Sequence, residues 1–253
     1  MKFIAIFCLI AAASAQNVVP TEFLAQIFRN ETTPTPQQNF LALGVMINQR
    51  HIITVAHVLH AVPTDQLRVH LQSATFREAV DVRGVDVAIV HSQFLIANPR
   101  VNNIAILRIP YSALTSVTTR PRMLGTLTPR ACRTFMFPGW FGNVVTTDIN
   151  VTATDCPPNT PFCTPRFPLG QTISSCTGVT GSPVICEDGN FVDGINIAEM
   201  DCGDMAFPLQ AQMSFLSIHE HVNWIIYHSD ANINSKVSVM LVLLGVVFGK
   251  ILM

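Results

Sequence analysis

Short apolar runs recur along the chain, and each is closed by Gly, Pro, Asn or Asp. Ala42-Leu43-Gly44-Val45-Met46-Ile47, His51-Ile52-Ile53-Thr54-Val55, Val87-Ala88-Ile89-Val90 and Ile104-Ala105-Ile106-Leu107-Arg108-Ile109 are all rich in β-branched residues. Runs of this length and spacing predict the strands of an all-β sandwich or barrel. A helical period appears late, over Ser217–Tyr227, where Ile218, Val222, Ile225 and Ile226 fall on one face. No internal repeat or low-complexity tract interrupts the pattern. A break near Thr115–Arg122 divides it into two β units, and every cysteine of the mature chain lies after that break.

The two ends depart from the strand pattern. Residues 1–15 (MKFIAIFCLIAAASA) join a positive Lys2, an apolar stretch and the small residues Ala13-Ser14-Ala15, the plan of a signal peptide. The mature chain then starts at Gln16, on the secretory route and in an oxidising compartment. Val237–Met253 is apolar apart from Lys250 and follows the small, polar stretch Ser229–Lys236. It is shorter than the roughly 20 residues a spanning helix needs, and fits a glycosylphosphatidylinositol attachment signal better. Ser229, Asn232, Asn234 and Ser235 are the candidate attachment residues, and a membrane helix or a buried tail is the alternative. The expected units are therefore 1–15, a first β half over 16–118, a second with the helix over 119–228, and a tail over 229–253. On this reading the protein is extracellular and held at the cell surface by its tail or by a lipid.

Charge and cysteine content narrow the function. A net charge of −1 implies no nucleic-acid or anionic-membrane partner for the folded body. Six cysteines remain after signal removal (Cys132, Cys156, Cys163, Cys176, Cys186 and Cys202), and an even number in a secreted chain implies three disulfides. None has zinc-site spacing, so neither a metal nor a cofactor is expected. Asn30-Glu31-Thr32 and Asn150-Val151-Thr152 are glycosylation sequons, at Asn30 and Asn150.

Candidate chemistry begins at His57, directly after the run Ile52–Ala56, where a strand end can present an imidazole. Asn102-Asn103-Ile104-Ala105-Ile106-Leu107 follows, and later Gly178-Val179-Thr180-Gly181-Ser182-Pro183-Val184-Ile185-Cys186. In this order and at these separations the three segments resemble the trypsin/chymotrypsin family of serine proteases. There they read T-A-A-H-C, N-D-I-A-L-L and G-D-S-G-G-P-L-V-C. His91-Ser92-Gln93-Phe94, Gly139-Trp140 and Val222-Asn223-Trp224-Ile225 add to the likeness, which spans about residues 40–227. It implies two six-stranded antiparallel β-barrels with a cleft between them and a C-terminal helix. It also implies the pairings Cys132–Cys186, Cys156–Cys163 and Cys176–Cys202. The disulfide that normally flanks the catalytic histidine has lost both ends.

The resemblance places His57, Asn103 and Thr180 at the positions of the catalytic triad. In such a triad the serine attacks, the histidine takes its proton, and a buried carboxylate fixes the histidine tautomer and stabilises the imidazolium. Here an amide replaces the carboxylate, an exchange that costs about 10⁴ in turnover in a serine protease. A threonine replaces the nucleophile, its hydroxyl crowded by a methyl. Asp86, in Val85-Asp86-Val87-Ala88, imitates the carboxylate motif but precedes His91, and reads as a surface or turn residue. Val179 stands where the family carries the aspartate that pairs with the new N-terminus of an activated zymogen. Gly178 and Thr180 retain the backbone N–H groups of an oxyanion site. Ile197-Ala198-Glu199 replaces the S-W-G strand that pairs with substrate, so Glu199 should narrow the primary pocket, and Ser174 stands at its base. These departures imply a non-catalytic homologue that binds a protein or peptide; a weakly active hydrolase using Thr180 and His57 is the alternative.

Overall fold

The computed structural model describes residues 23–30, 39–71, 81–110, 123–136, 144–165, 167–168, 180–186, 191–197 and 210–229. The signal segment, the expected break near Thr115–Arg122, Gly139-Trp140 and the C-terminal tail lie outside them. Among the described residues no helix is long and apolar enough to cross a membrane.

Seven strands form the first antiparallel sheet: β1 (Leu24–Arg29), β2 (Phe40–Met46), β3 (His51–Thr54), β4 (Leu67–Leu71), β5 (Asp81–Gly84), β6 (Val87–Val90) and β7 (Ala105–Arg108). Their spatial order is β5-β4-β1-β2-β3-β7-β6. Only Val85 and Asp86 separate β5 at one edge from β6 at the other, so residues 81–90 are in effect one bent strand joining both edges. The seven strands thus reduce to the expected six-stranded barrel. Asp86 sits exposed at the bend, its N–H donating to Arg108 O at 2.8 Å.

The remaining strands are β8 (Met123–Leu124), β9 (Ala131–Met136), β10 (Val145–Asn150), β11 (Phe162–Cys163), β12 (Phe167–Pro168), β13 (Pro183–Cys186), β14 (Phe191–Val192), β15 (Gly194–Asn196), β16 (Gln210–Ala211) and β17 (Ser214–Ser217). Six of them make the second antiparallel sheet, in the order β10-β9-β13-β15-β17-β11. Thr152, just past β10, bridges to Cys163 in β11, so this sheet also returns on itself. The disulfide Cys156–Cys163 clasps the same corner, and Cys132–Cys186 ties β9 to β13. Cys176 and Cys202 lie outside the described residues.

Packing follows from the apolar pattern. In β4, Leu67, Val69 and Leu71 point inward while Arg68 and His70 are half-buried, the alternation of a strand with one wet face. β2 instead buries five residues in succession, Ala42 to Met46, because the second barrel covers its other face. Phe23 and Phe135 meet edge-on there, their ring centroids 5.3 Å apart. The core runs without a break from Ile27, Leu43 and Ile106 of the first barrel to Ile185, Val192 and Leu216 of the second. Each such side chain contributes about 1.5–3 kcal/mol when fully buried.

The late helix begins after its expected start. Ser217 ends β17 opposite Gly194, and Ile218 N–H donates to Asp193 O at 3.0 Å, so both belong to the sheet. One 3-10 turn, His219–His221, leads into the helix Val222–Ser229. Ile218 and Ile225 of the expected face are fully buried, whereas Val222 and Ile226 are half-buried.

Candidate functional site

β3 ends at Thr54, and the chain turns through Val55 and Ala56 into a 3-10 turn that starts at His57. Asn103 comes from the segment before β7, which pairs with β3 through Thr54↔Ala105. The register of two neighbouring strands therefore brings a half-buried imidazole and a fully buried amide together. Asn103 Oδ1 accepts N–H groups from Ala56 at 2.8 Å and His57 at 3.0 Å. Asn103 Nδ2 faces Pro99 O at 2.6 Å, His57 Nδ1 at 2.8 Å and Ile197 O at 3.1 Å. Two amide hydrogens thus serve three acceptors, one of them shared.

This network admits one orientation of the amide. Turned over, Asn103 would set its NH2 against two backbone N–H groups and its oxygen against two carbonyls. With NH2 facing it, His57 Nδ1 must present a lone pair, and the proton of the neutral imidazole sits on Nε2. A base that takes a hydroxyl proton needs the opposite tautomer.

Thr180 is buried, with its backbone O accepting Leu43 N–H at 2.9 Å. Thr54 Oγ1 donates to Leu43 O at 2.7 Å, so β2 and β3 together hold the loop from the first barrel. Gly181 follows with φ +78°, and a Cβ there would fall on Leu43 O. Only glycine tolerates both the left-handed backbone and that approach. Ser182 is fully buried, its Oγ 2.9 Å from Thr134 Oγ1. Among the described residues no hydrogen bond joins the Thr180 hydroxyl to His57.

The family model for trypsin matches residues 15–216. The chain belongs to the trypsin family. Solved structures of that fold resemble it. HL collagenase aligns with TM-score 0.64 and 19% identity, over 83% of this chain and 94% of the collagenase. Human heparin binding protein aligns with TM-score 0.58 and 18% identity, over 81% and 90% of the two chains. Kallikrein-related peptidase 10, in a complex with Zn2+, aligns with TM-score 0.59 and 16% identity, over 84% and 98%. No curated protein matches the sequence. At these identities the likeness establishes the fold.

Of the residues expected at a trypsin-family site, the structure brings His57 and Asn103 into contact and buries Thr180 in the loop held by Leu43. Gly178, Val179, Ser174, Ala198 and Glu199 lie outside the described residues. Ile197 is described, and its contribution is its carbonyl, which accepts from Asn103. Two participants escaped the sequence reading. Pro99 lends its carbonyl to the Asn103 amide, and no side-chain pattern marks a carbonyl. Asn102, with φ +52°, has its Oδ1 3.1 Å from His221 Nε2, tying the segment that carries Asn103 to the 3-10 turn before the helix. The repeated Asn-Asn was the available signal, since asparagine tolerates left-handed backbone better than most residues. Among the described residues no three His, Cys, Asp or Glu side chains are grouped to hold a metal ion.

Proposed function

We propose that this chain is a non-catalytic member of the trypsin family that acts by binding a protein or peptide, secreted and held at the cell surface. The observation that carries the reading is the Asn103 amide facing His57 Nδ1 at 2.8 Å. It leaves the imidazole protonated at Nε2, where a serine-protease base must accept. An amide at this position costs about 10⁴ in turnover even with serine as nucleophile, and Thr180 adds a methyl beside the reacting oxygen. The alternative, a weak hydrolase using Thr180 and His57, keeps a hydroxyl and an imidazole but needs the other tautomer. The structural neighbours include one named as a collagenase and one as a heparin binding protein. The fold alone favours neither reading.

Surface attachment is part of the same proposal. Ser229 closes the helix fully buried, its Oγ donating to Ile225 O at 2.6 Å. That burial favours Asn232, Asn234 or Ser235 over Ser229 as the lipid attachment residue. Release from cells by a phosphatidylinositol-specific phospholipase is the expected result, and retention argues for a membrane helix.

Catalysis is tested with a fluorophosphonate probe, which labels an activated hydroxyl. The mature protein should stay unlabelled; covalent modification of Thr180 would overturn the non-catalytic reading.

A further inference from the structure

The C-terminal helix meets the first barrel through a cluster of rings. His91, in the turn that leaves β6, has its centroid 5.3 Å from His221 and 5.0 Å from Trp224. Trp224 lies 5.1 Å from His228, and His228 in turn 4.8 Å from the exposed Tyr227. Two imidazoles, His91 and His228, therefore flank the indole, and a third, His221, packs on His91. One hydrogen bond defines the state of His91. Gln93 N–H donates to His91 Nδ1 at 3.3 Å, so that nitrogen is a lone pair and His91 is neutral. His221 Nδ1 lies 3.2 Å from Ser217 O and its Nε2 3.1 Å from Asn102 Oδ1.

The cluster is continuous with the candidate site. His91 N–H donates to Ile104 O at 3.1 Å, and Ile104 N–H to Asn102 O at 2.8 Å. Asn102 Oδ1 lies 3.1 Å from His221 Nε2, and the next residue is Asn103, whose amide sets the His57 tautomer. The helix, the His91 turn and the Asn102–Ile104 segment form one hydrogen-bonded unit.

We propose that this unit is an acid-released latch. With His91 neutral, the rings clamp the C-terminal helix to the barrel; a proton on His91 frees the helix and loosens the segment that carries Asn103. Three features oppose that proton: the donor at Nδ1, the partial burial of the ring, and the two imidazoles of His221 and His228. Burial first, then His221 and His228, lower the His91 pKa below its ordinary 6.5. Asp86 and Arg108 at the bend between β5 and β6 and at the end of β7, Arg100 of the segment after His91, His219 and Glu220 of the 3-10 turn and Tyr227 of the helix are the other charged or titratable groups on the packed elements. Of all of these, His221 and His228 are the groups that act electrostatically on His91. The indole face of Trp224 attracts a cation, but one indole is set against two imidazoles.

The sign follows from linkage. A depressed pKa means that the folded state binds fewer protons, so the stabilisation is present above the unfolded value near 6.5 and is lost as pH falls through the folded value. Hydrogen exchange read by mass spectrometry on the full chain, at pH 7.5 and 5.5 and corrected for intrinsic chemistry, tests the latch. Peptides covering 222–229 and 99–104 should lose protection together, by up to about tenfold, while β13 keeps its own. His91→Phe should hold both regions protected at pH 5.5, and His91→Gln carries the same expectation should the first variant not fold. Unchanged protection in the wild type, loosening in the variants equal to the wild type's, or a parallel loss in β13 would each overturn the latch. Loss confined to 222–229 would overturn its link to Asn103.

Discussion

Asn103→Asp restores the family's carboxylate, yet the surroundings of Asn103 are built for an amide. The introduced oxygen would replace Nδ2, which lies 2.6 Å from Pro99 O and 3.1 Å from Ile197 O. Both carbonyls lose their donor and face an anion. Stranding the buried Ile197 carbonyl costs about 1–3 kcal/mol and the part-buried Pro99 carbonyl less, and a new charge-assisted bond from His57 returns about 1.5–3 kcal/mol. The central values leave a net destabilisation of about 1 kcal/mol at pH 7, or a Tm lower by roughly 2–4 °C for a chain of this size. Burial and the two carbonyls should raise the introduced carboxyl's pKa, since the protonated acid can donate to Pro99 O. A raised folded pKa gives stability that is full below the unfolded value near 3.9 and is lost as pH rises, so the deficit should shrink on acidification. Thermal unfolding followed by circular dichroism between pH 4 and 8 measures both effects. A variant as stable as the wild type at pH 7, or one whose deficit grows as pH falls, would refute the amide orientation.

Other expectations follow from the same contacts. Thr180→Ser removes the crowding methyl but leaves the tautomer, so hydrolysis of a fluorogenic peptide should stay about 10⁴ or more below that of an active serine protease; turnover approaching an active protease's would contradict the geometry. His70, stacked on Phe28 with centroids 4.4 Å apart and its Nδ1 buried without a partner, has a pKa lowered by burial. Its stabilisation is present above pH 6.5 and is lost as pH falls through the folded value. His70→Phe should therefore unfold at higher denaturant than the wild type at pH 5.5 and near the same point at pH 7.5. Gly181→Ala, forced to φ +78° with its methyl on Leu43 O, should lose more than about 2 kcal/mol in denaturant unfolding.

The strands were legible because they follow local rules. β3 and β6 are short β-branched runs closed by turn residues, so the pattern alone points to an all-β fold, and the division into two six-stranded barrels came from the resemblance to the trypsin/chymotrypsin family. The bend at Val85-Asp86 was not legible, because a residue pair inside a barrel strand looks like a break between two strands. The helix start slipped because Ser217 and Ile218 fit a helical face equally well, and the pairing of Ser217 opposite Gly194 with the Ile218–Asp193 hydrogen bond decides otherwise. The site divides in the same way. Resemblance placed His57, Asn103 and Thr180, but the chemical state of His57 depends on carbonyls 4 and 94 residues from Asn103. Only the folded chain shows that Asn103 meets two acceptors on its Nδ2 side and two donors on its Oδ1 side.

That chemical state is the centre of the account, and it can be measured directly. Long-range proton–nitrogen correlation spectra of uniformly 15N-labelled protein, at a pH where His57 is neutral, distinguish a protonated ring nitrogen from a bare one. Assigned by comparison with His57→Gln, the His57 ring should carry its proton on Nε2 and a lone pair on Nδ1. A proton on Nδ1 would mean that Asn103 accepts from the imidazole, and that the site retains the tautomer of a working base.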